Sequence, residues 1–154
     1  MCPRIIRLTG EQPEGILRAL SEIERDCFSH PLTAEQLSAL LCDPAVLFLA
    51  AEAEGELHGS VWVQTVLDEG YIGNVAVRCR ARRRGVADAL LSRLEETAAG
   101  QGLSFLTLEV RSGNDPALRL YEKHGYARVG LRPGYYSDPK EDAVLMTKWL
   151  TETI

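Results

Sequence analysis

The first third of the chain changes from helical to extended spacing of its apolar residues. A short apolar run, RIIRLT (4–9), predicts a first strand. Between Pro13 and Phe28 the apolar residues fall three or four positions apart, which predicts an amphipathic helix. Thr33 followed by Gln36 is a capping-box pattern and predicts a second, shorter helix through Leu41.

The remaining pattern alternates extended and helical segments. The β-rich runs AVLFLAAEA (45–53) and GSVWVQTVL (59–67) predict a hairpin, and YIGNVAVR (71–78) predicts a further strand. A helix is expected from about Gly85 to Ala99, and DPALRLYEKHG (115–125) predicts another with proline at its first turn. The runs LSFLTLEV (103–110), YARVGLR (126–132) and DAVLMTKWL (142–150) predict three more strands. This order indicates an α+β (α/β) fold with a central mixed sheet flanked by helices.

Composition narrows the class of protein. The 154 residues, 45% hydrophobic and 25% charged, are typical of one globular domain spanning 1–154. The N-terminus MCPRIIRLTG lacks the apolar core of a signal peptide, so we expect a cytoplasmic protein, and we expect no membrane partner. The net charge of -5 disfavours broad nucleic-acid binding. Four widely spaced cysteines predict free thiols and no metal site.

Five arginines interrupt this acidic chain between Arg78 and Arg84. They could form a nucleic-acid patch, a solvated charge run or a cradle for a small polyanion. A strand, the loop RRRGVA (82–87) and a helix follow one another here, and helix N-termini reached through a glycine loop bind phosphate groups. The loop lacks the further glycines of a Rossmann fingerprint and the Gly-Lys-Ser/Thr of a P-loop.

Two motifs in this chain resemble the Gcn5-related N-acetyltransferase (GNAT) superfamily. Arg82-x-x-Gly85-x-Ala87 is similar to its Q/R-x-x-G-x-G/A signature, and LTLEVRSGNDPALRLYEKHGY (106–126) is similar to its later motif. Within the superfamily, LEVR-x-x-N, YEKHGY and RPGYYSDPKEDAVLM resemble RimI-type enzymes, which acetylate the N-terminal alanine of a small-subunit ribosomal protein. Leu32 stands where RimI-type proteins commonly have tryptophan, which leaves the shape of the peptide-facing wall open.

The resemblance implies a GNAT-type fold, acetyl-CoA as the acetyl donor, and an acceptor protein as partner. It implies that loop amides bind the donor pyrophosphate, that strand backbone binds its pantetheine arm, and that an asparagine side chain touches it. The implied donor-binding residues are Val75, Ala76, Val77, Arg82, Arg83, Arg84, Gly85, Val86, Ala87, Asp88 and Asn114.

Acetyl transfer to an amine needs a base for the nucleophile and an acid for the departing thiolate. The resemblance assigns these roles to Glu109 and Tyr121. By strand alternation Glu109 shares a face with Thr107, away from the apolar Leu106 and Leu108, so it could also be an ordinary exposed glutamate. Tyr121 could be a buried structural tyrosine and Asn114 a helix cap, a role compatible with donor contact.

The acceptor is less constrained by the sequence than the donor. An α-amino group has a pKa of about 7.7–8.0 against about 10.4 for lysine, so its deprotonation near neutral pH is easier by roughly 3.5 kcal/mol. Tyr135 and Tyr136, expected on a loop rich in turn residues, are interpreted as part of the acceptor wall. A lysine side chain, a small-molecule amine, or a binding module without catalysis remain alternatives.

Overall fold

A computed structural model describes residues 2–150. The strands are β1 Arg4–Leu8, β2 Val46–Ala53, β3 Glu56–Val66, β4 Glu69–Val77, β5 Phe105–Arg111, β6 Ala127–Ser137 and β7 Lys140–Trp149. The helices are α1 Glu14–Cys27, α2 Ala34–Cys42, α3 Val86–Gly100 and α4 Asp115–Lys123, with a 3₁₀ turn at Cys79–Ala81. Within this range no helix combines the length and apolarity needed to cross a membrane.

All of these strands belong to a single sheet in the order β1-β2-β3-β4-β5-β7-β6. The β4–β5 pair is parallel and every other neighbouring pair is antiparallel. β7 lies between β5 and β6, so residues on those two strands face one another only across it. The expected α+β fold with a mixed, mostly antiparallel sheet is confirmed.

Alternation along the strands separates two buried clusters, one on each face of the sheet. Leu106, Leu108 and Val110 of β5 pack with the apolar residues of α3 and α4. Phe48 and Ala50 of β2 pack instead with residues of α1 and α2 on the opposite face. Each strand therefore buries side chains on both faces where helices cover it, which explains the near-continuous apolar run of β2.

Local signals set several of the boundaries. The capping box is formed: Thr33 Oγ1 accepts from the Gln36 amide at 3.1 Å and Gln36 Oε1 accepts from the Thr33 amide at 2.9 Å. Asn114 caps α4, because its side chain accepts a hydrogen bond from the amide of Ala117 at 3.3 Å. These caps satisfy amides that would otherwise lack partners at the helix starts.

Two boundaries differ from the sequence prediction by three residues or more. The β2–β3 turn consists only of Glu54 and Gly55, both at positive φ, because this pair forms a tight hairpin turn and lets β3 begin at Glu56. The segment after Arg132 was expected to be a loop, but β6 continues to Ser137 and carries Tyr135 and Tyr136. Pairing with β7 resumes at Tyr136↔Glu141 after an irregularity, which keeps this glycine- and proline-containing segment extended.

Candidate active site

The sheet opens into a gap where β4 and β5 diverge. The two strands pair through only three rungs, of which Tyr71↔Thr107 is the last. Beyond it β4 continues to Val77 and β5 to Arg111, but these two segments form no further rungs with each other. Backbone groups on the facing edges are therefore open to an extended ligand, which can add to such an edge as a strand does.

Hydrogen bonds indicate which residues of β4 face the gap. The amide of Arg78 donates to the carbonyl of His58 at 2.8 Å, on the β3 side. Because alternate residues of an antiparallel strand direct their amide and carbonyl to the same neighbour, Ala76 also faces β3. Val75 and Val77 direct theirs towards the gap, and the Val77 carbonyl indeed accepts from the Cys27 thiol at 3.2 Å.

A β-bulge interrupts β4 beside the opening. Val61 pairs with Val75 and Val63 with Ile72, so Gly73 and Asn74 together stand opposite one residue of β3. A bulge bends its strand and leaves one residue outside the regular ladder. Here it coincides with the divergence from β5, so the distorted part of β4 lies at the opening.

The loop RRRGVA (82–87) presents backbone N–H donors at the start of α3. Arg83 has φ 62° and Gly85 has φ 77°, so two left-handed residues alternate in the loop. Gly85 is the N-cap residue and no side chain caps the helix there. Such an alternation turns successive amides inward and forms an anion-binding concavity, reinforced by the positive end of the helix dipole.

The five arginine side chains have different partners. Arg82 donates from Nε to the Val77 carbonyl at 3.2 Å, linking the loop to the edge of β4. Arg78 is largely buried: its side chain is only 13% exposed, since it donates to the Leu57 carbonyl at 2.7 Å and pairs with a glutamate of α1. Arg80 pairs with Glu56 at 3.1 Å. The exposed Arg83 and Arg84 lie in the loop itself.

A charged network ties the same helix start to α4. Asp88 Oδ1 accepts from Lys123 Nζ at 2.9 Å and lies 2.9 Å from His124 Nε2. Lys123, then His124, hold the pKa of the Asp88 carboxyl below its usual value. The side chain of Asp88 therefore fixes the position of α4 against α3, while Val86 is buried and Ala87 is half-buried in the same turn.

Tyr121 lies on the buried side of α4. Its ring meets that of Tyr126 edge-on with centroids 5.6 Å apart, and its side chain belongs to the core shared with α3. Burial, and then the nearby Tyr136, raise the pKa of the Tyr121 phenol above its ordinary value. The phenol is therefore protonated through the neutral range, as a proton donor must be.

Glu109 lies on β5 two residues beyond the last rung with β4. Leu106 and Leu108 are buried on the opposite face, as the alternation predicted. Glu109 Oε1 lies 3.3 Å from Nε of Arg132, with the carboxylate side chain 30% exposed. This contact crosses β7, because Arg132 pairs with Ala143, whose small side chain leaves the path open.

The two tyrosines of β6 form an aromatic wall on this side. Their rings meet edge-on at 5.1 Å. Arg132 lies 5.9 Å from the ring centre of Tyr135, and Arg111 lies 4.3 Å from that of Tyr136. Burial, then Tyr135 and Glu109, raise the pKa of Tyr136, which indicates that Tyr136 stands near the candidate base.

The structure thus brings the predicted residues into two groups. The donor group runs along the edge of β4, through the loop 82–88, to the N-terminus of α3. In the second group, Tyr136 stands near both Glu109 and Tyr121. The sequence alone did not indicate Arg132 and Arg111, because their side-chain contacts depend on the position of β7 between β5 and β6. Within residues 2–150, His, Cys, Asp and Glu side chains form no group of three that could hold a metal ion.

Comparison with known sequences gives a consistent set of relatives. Residues 17–126 match the acetyltransferase (GNAT) family. A Bacillus subtilis (strain 168) protein named as a candidate ribosomal protein bS18-alanine N-acetyltransferase is 34% identical over 131 residues, covering 84% of this chain and 85% of that protein. The Escherichia coli (strain K12) ribosomal protein bS18-alanine N-acetyltransferase is 37% identical over 94 residues, covering 60% of this chain and 64% of that protein.

Solved structures share the same architecture. The crystal structure of the ribosomal-protein-S18-alanine N-acetyltransferase from Escherichia coli superposes with a TM-score of 0.88 at 28% identity, covering 99% of this chain and 97% of that one. Ard1 from Thermoplasma volcanium superposes with a TM-score of 0.86 at 24% identity, covering 99% of this chain and 100% of that one. The second of these likenesses concerns the fold alone.

Proposed function

The chain belongs to the acetyltransferase (GNAT) family and is an acetyl-CoA-dependent N-acetyltransferase, and we propose that it acetylates the N-terminal α-amino group of a protein. The acceptor that we propose is the N-terminal alanine of a small-subunit ribosomal protein. The observation that carries the reaction is the gap between β4 and β5, with Glu109 two residues past the last rung. The acceptor is supported by similarity to the bS18-alanine enzymes over 84% of this chain.

The chain's backbone would bind the donor along one continuous edge. Free amides of the loop 83–86 suit the pyrophosphate, and the exposed Arg83 and Arg84 add positive charge. Val75 and Val77 offer gap-facing backbone groups to the pantetheine arm, while Ala76, whose amide and carbonyl face β3, holds this edge in the sheet. Asn114 is exposed, so its amide group can contact the donor while its side-chain oxygen caps α4. Acetyl-CoA supplies the activated acetyl group.

Glu109 is proposed to take a proton from the acceptor amine, directly or through water. It lies two residues beyond the last rung between β4 and β5, beside the path that we propose for the amine. Arg132 orients its carboxylate from across β7 at 3.3 Å. An α-amine needs only a modest base near neutral pH, because its pKa is about 2.5 units lower than that of lysine.

Tyr121 is proposed to give a proton to the departing thiolate. Its phenol is buried and retains its proton across the neutral range, because burial and Tyr136 raise its pKa. Tyr135 and Tyr136 are proposed to line the path of the acceptor peptide. Tyr135 is 51% exposed on a strand, an exposure that core packing does not explain.

The test is an acetylation assay with mass detection on paired peptides. One peptide begins with alanine and contains no lysine, and its partner has a blocked N-terminus and one internal lysine. We expect one acetyl group on the first peptide at a rate at least about tenfold above the second, because the α-amine is more easily deprotonated. Modification of only the lysine peptide, or of only a small amine such as spermidine, would replace the proposed acceptor by the alternative.

A further inference from the structure

Trp62 of β3 covers the bulge of β4 where the gap opens. Gly73 and Asn74 together stand opposite this tryptophan. A Cβ atom built on Gly73 would lie 2.0 Å from an indole carbon, so the ring is in contact with the glycine backbone. Any side chain at position 73 would have to move the ring. The close approach of the indole to the backbone therefore explains the glycine, and turn geometry does not.

The indole and the carboxylate of Glu109 border the same opening. Tyr71 pairs with Thr107, so two residues further along each strand bring Gly73 level with Glu109 across the gap. Ile72 and Leu108 pack on the α3 face, and alternation therefore puts Gly73 and Glu109 on the other face. Trp62 packs against the cluster on that face, which also includes the partly buried Phe28 and Leu32.

Polar contacts do not account for a tryptophan at this position. Its indole Nε1 is buried, and no acceptor for it exists among residues 2–150. A buried indole N–H normally finds a partner, and leaving it without one is unfavourable. Phenylalanine would avoid that cost, so the property supplied by Trp62 is the size and shape of a large ring at the edge of the opening.

We propose that Trp62 determines acceptor specificity by limiting the first side chain of the acceptor to small groups. The inference rests on the proposed function, an α-amine held beside Glu109. In such an amine the Cβ atom lies about 2.5 Å from the nitrogen, so the first side chain must enter the same opening. Glycine, alanine and serine fit beside the indole, whereas leucine and methionine meet its ring. A lysine amine ends an unbranched chain and avoids this contact.

The test compares kcat/KM for peptides that differ only in their first residue, alanine or leucine. We expect the wild type to prefer alanine by about 100-fold, which is within the range that pocket size can supply. Trp62→Leu should lower this preference at least about tenfold, chiefly by raising kcat/KM for the leucine peptide. Trp62→Phe should lower it by a smaller factor, because the phenyl ring is smaller than the indole but still borders the opening. Trp149→Ala is the matched control, because Trp149 is 63% exposed on β7 and contacts Phe105 instead.

Folding of each variant is checked by its melting temperature and by the stabilisation that acetyl-CoA produces. If Trp62→Leu does not fold, Gly73→Ala provides a second variant, because its methyl group must displace the indole and alter the first-residue preference. A folded variant of either kind with the wild-type preference would overturn the proposal. A wild type that acetylates alanine and leucine peptides equally would overturn it while leaving the proposed function intact. Acetylation of lysine alone would contradict the proposed function, and this inference with it.

Discussion

The donor side and the acceptor side of the gap are built in different ways. The proposed donor side is contiguous: the edge of β4, the loop 82–85 and the first turn of α3 follow one another along the chain, and the groups that they offer are backbone amides and carbonyls. The acceptor side joins side chains from β5 and β6 across β7, with Glu109 and Arg132 in contact at 3.3 Å. One side is therefore set by local conformation and the other by strand order.

This difference predicts different sensitivities to substitution. Backbone amides keep their positions when a side chain is changed, as long as φ and ψ are kept. On the donor side, only residues with unusual backbone conformations should therefore be critical. On the acceptor side each side chain makes its own contact, so single substitutions should act on turnover with little effect on donor binding.

Glu109→Gln should have the largest effect on turnover. Removing a general base costs typically 10²–10⁴-fold, so we expect kcat to fall at least about 100-fold. Stabilisation by acetyl-CoA should remain, because Glu109 lies outside the donor group. The measurement is steady-state acetylation of the alanine peptide alongside a thermal shift with the donor.

Glu96→Gln is the control for that substitution, since Glu96 is an exposed glutamate on α3 whose ion pair is with Arg93 of the same helix. Wild-type kcat is expected for it. Unchanged kcat in Glu109→Gln would remove this residue from the mechanism and leave it an exposed strand glutamate.

Gly85→Val should weaken donor binding about tenfold or more. Gly85 has φ 77°, and no atom of residues 2–150 lies within 4 Å of a Cβ built there, so the damage comes from conformation and not from a clash with this part of the protein. A β-branched residue in this region costs about 2 kcal/mol, and relaxation of the loop turns its amides away from the donor. The readout is the dissociation constant of acetyl-CoA by calorimetry.

Gly55→Val separates this effect from general strain. Gly55 has φ 78° and equally open surroundings, but it lies in the β2–β3 turn. Its replacement should lower the melting temperature about as much as Gly85→Val does. The dissociation constant of acetyl-CoA should stay at the wild-type value. Equal donor affinity in both variants would argue against the loop as the pyrophosphate site.

Tyr121→Phe should lower kcat about tenfold, because water can partly replace a phenol as the proton donor. Donor affinity should change little, since the ring and its packing remain. Tyr126→Phe is the matched control: its ring is 5.6 Å from that of Tyr121, and its hydroxyl is buried without a partner in the described part of the chain. Equal kcat in the two variants would make Tyr121 a packing residue.

Arg132→Gln should have the smallest effect, a loss of about threefold to tenfold in kcat through looser orientation of Glu109. The ion pair is partly exposed, so its contribution to stability should be at most about 1 kcal/mol. Arg128→Gln is the matched control, because Arg128 lies on the same strand as Arg132 but pairs with Glu122 of α4, and the two arginines are 55% and 54% exposed. A similar loss in both variants would indicate an effect on β6 rather than on Glu109.

Much of the fold could be predicted because its signals are local. The capping box at Thr33, the proline and asparagine that begin α4, and the change from helical to alternating spacing each act within a few residues. The end of β6 could not be predicted in this way. Its glycine and proline suggest a turn, and only pairing with β7 keeps Tyr135 and Tyr136 extended.

The sequence by itself determined the family and indicated the proposed donor site, because a strand, a glycine loop and a helix start are adjacent in the chain and act through backbone geometry. It also determined the face on which Glu109 lies, because strand alternation has a period of two. Only the tertiary structure decided which side chains surround that glutamate. Insertion of β7 between β5 and β6 brings Arg132 to it, and the early divergence of β4 from β5 opens the gap beside it, flanked by Trp62. Strand order and register are properties of the whole sheet, and no short segment of the sequence encodes them.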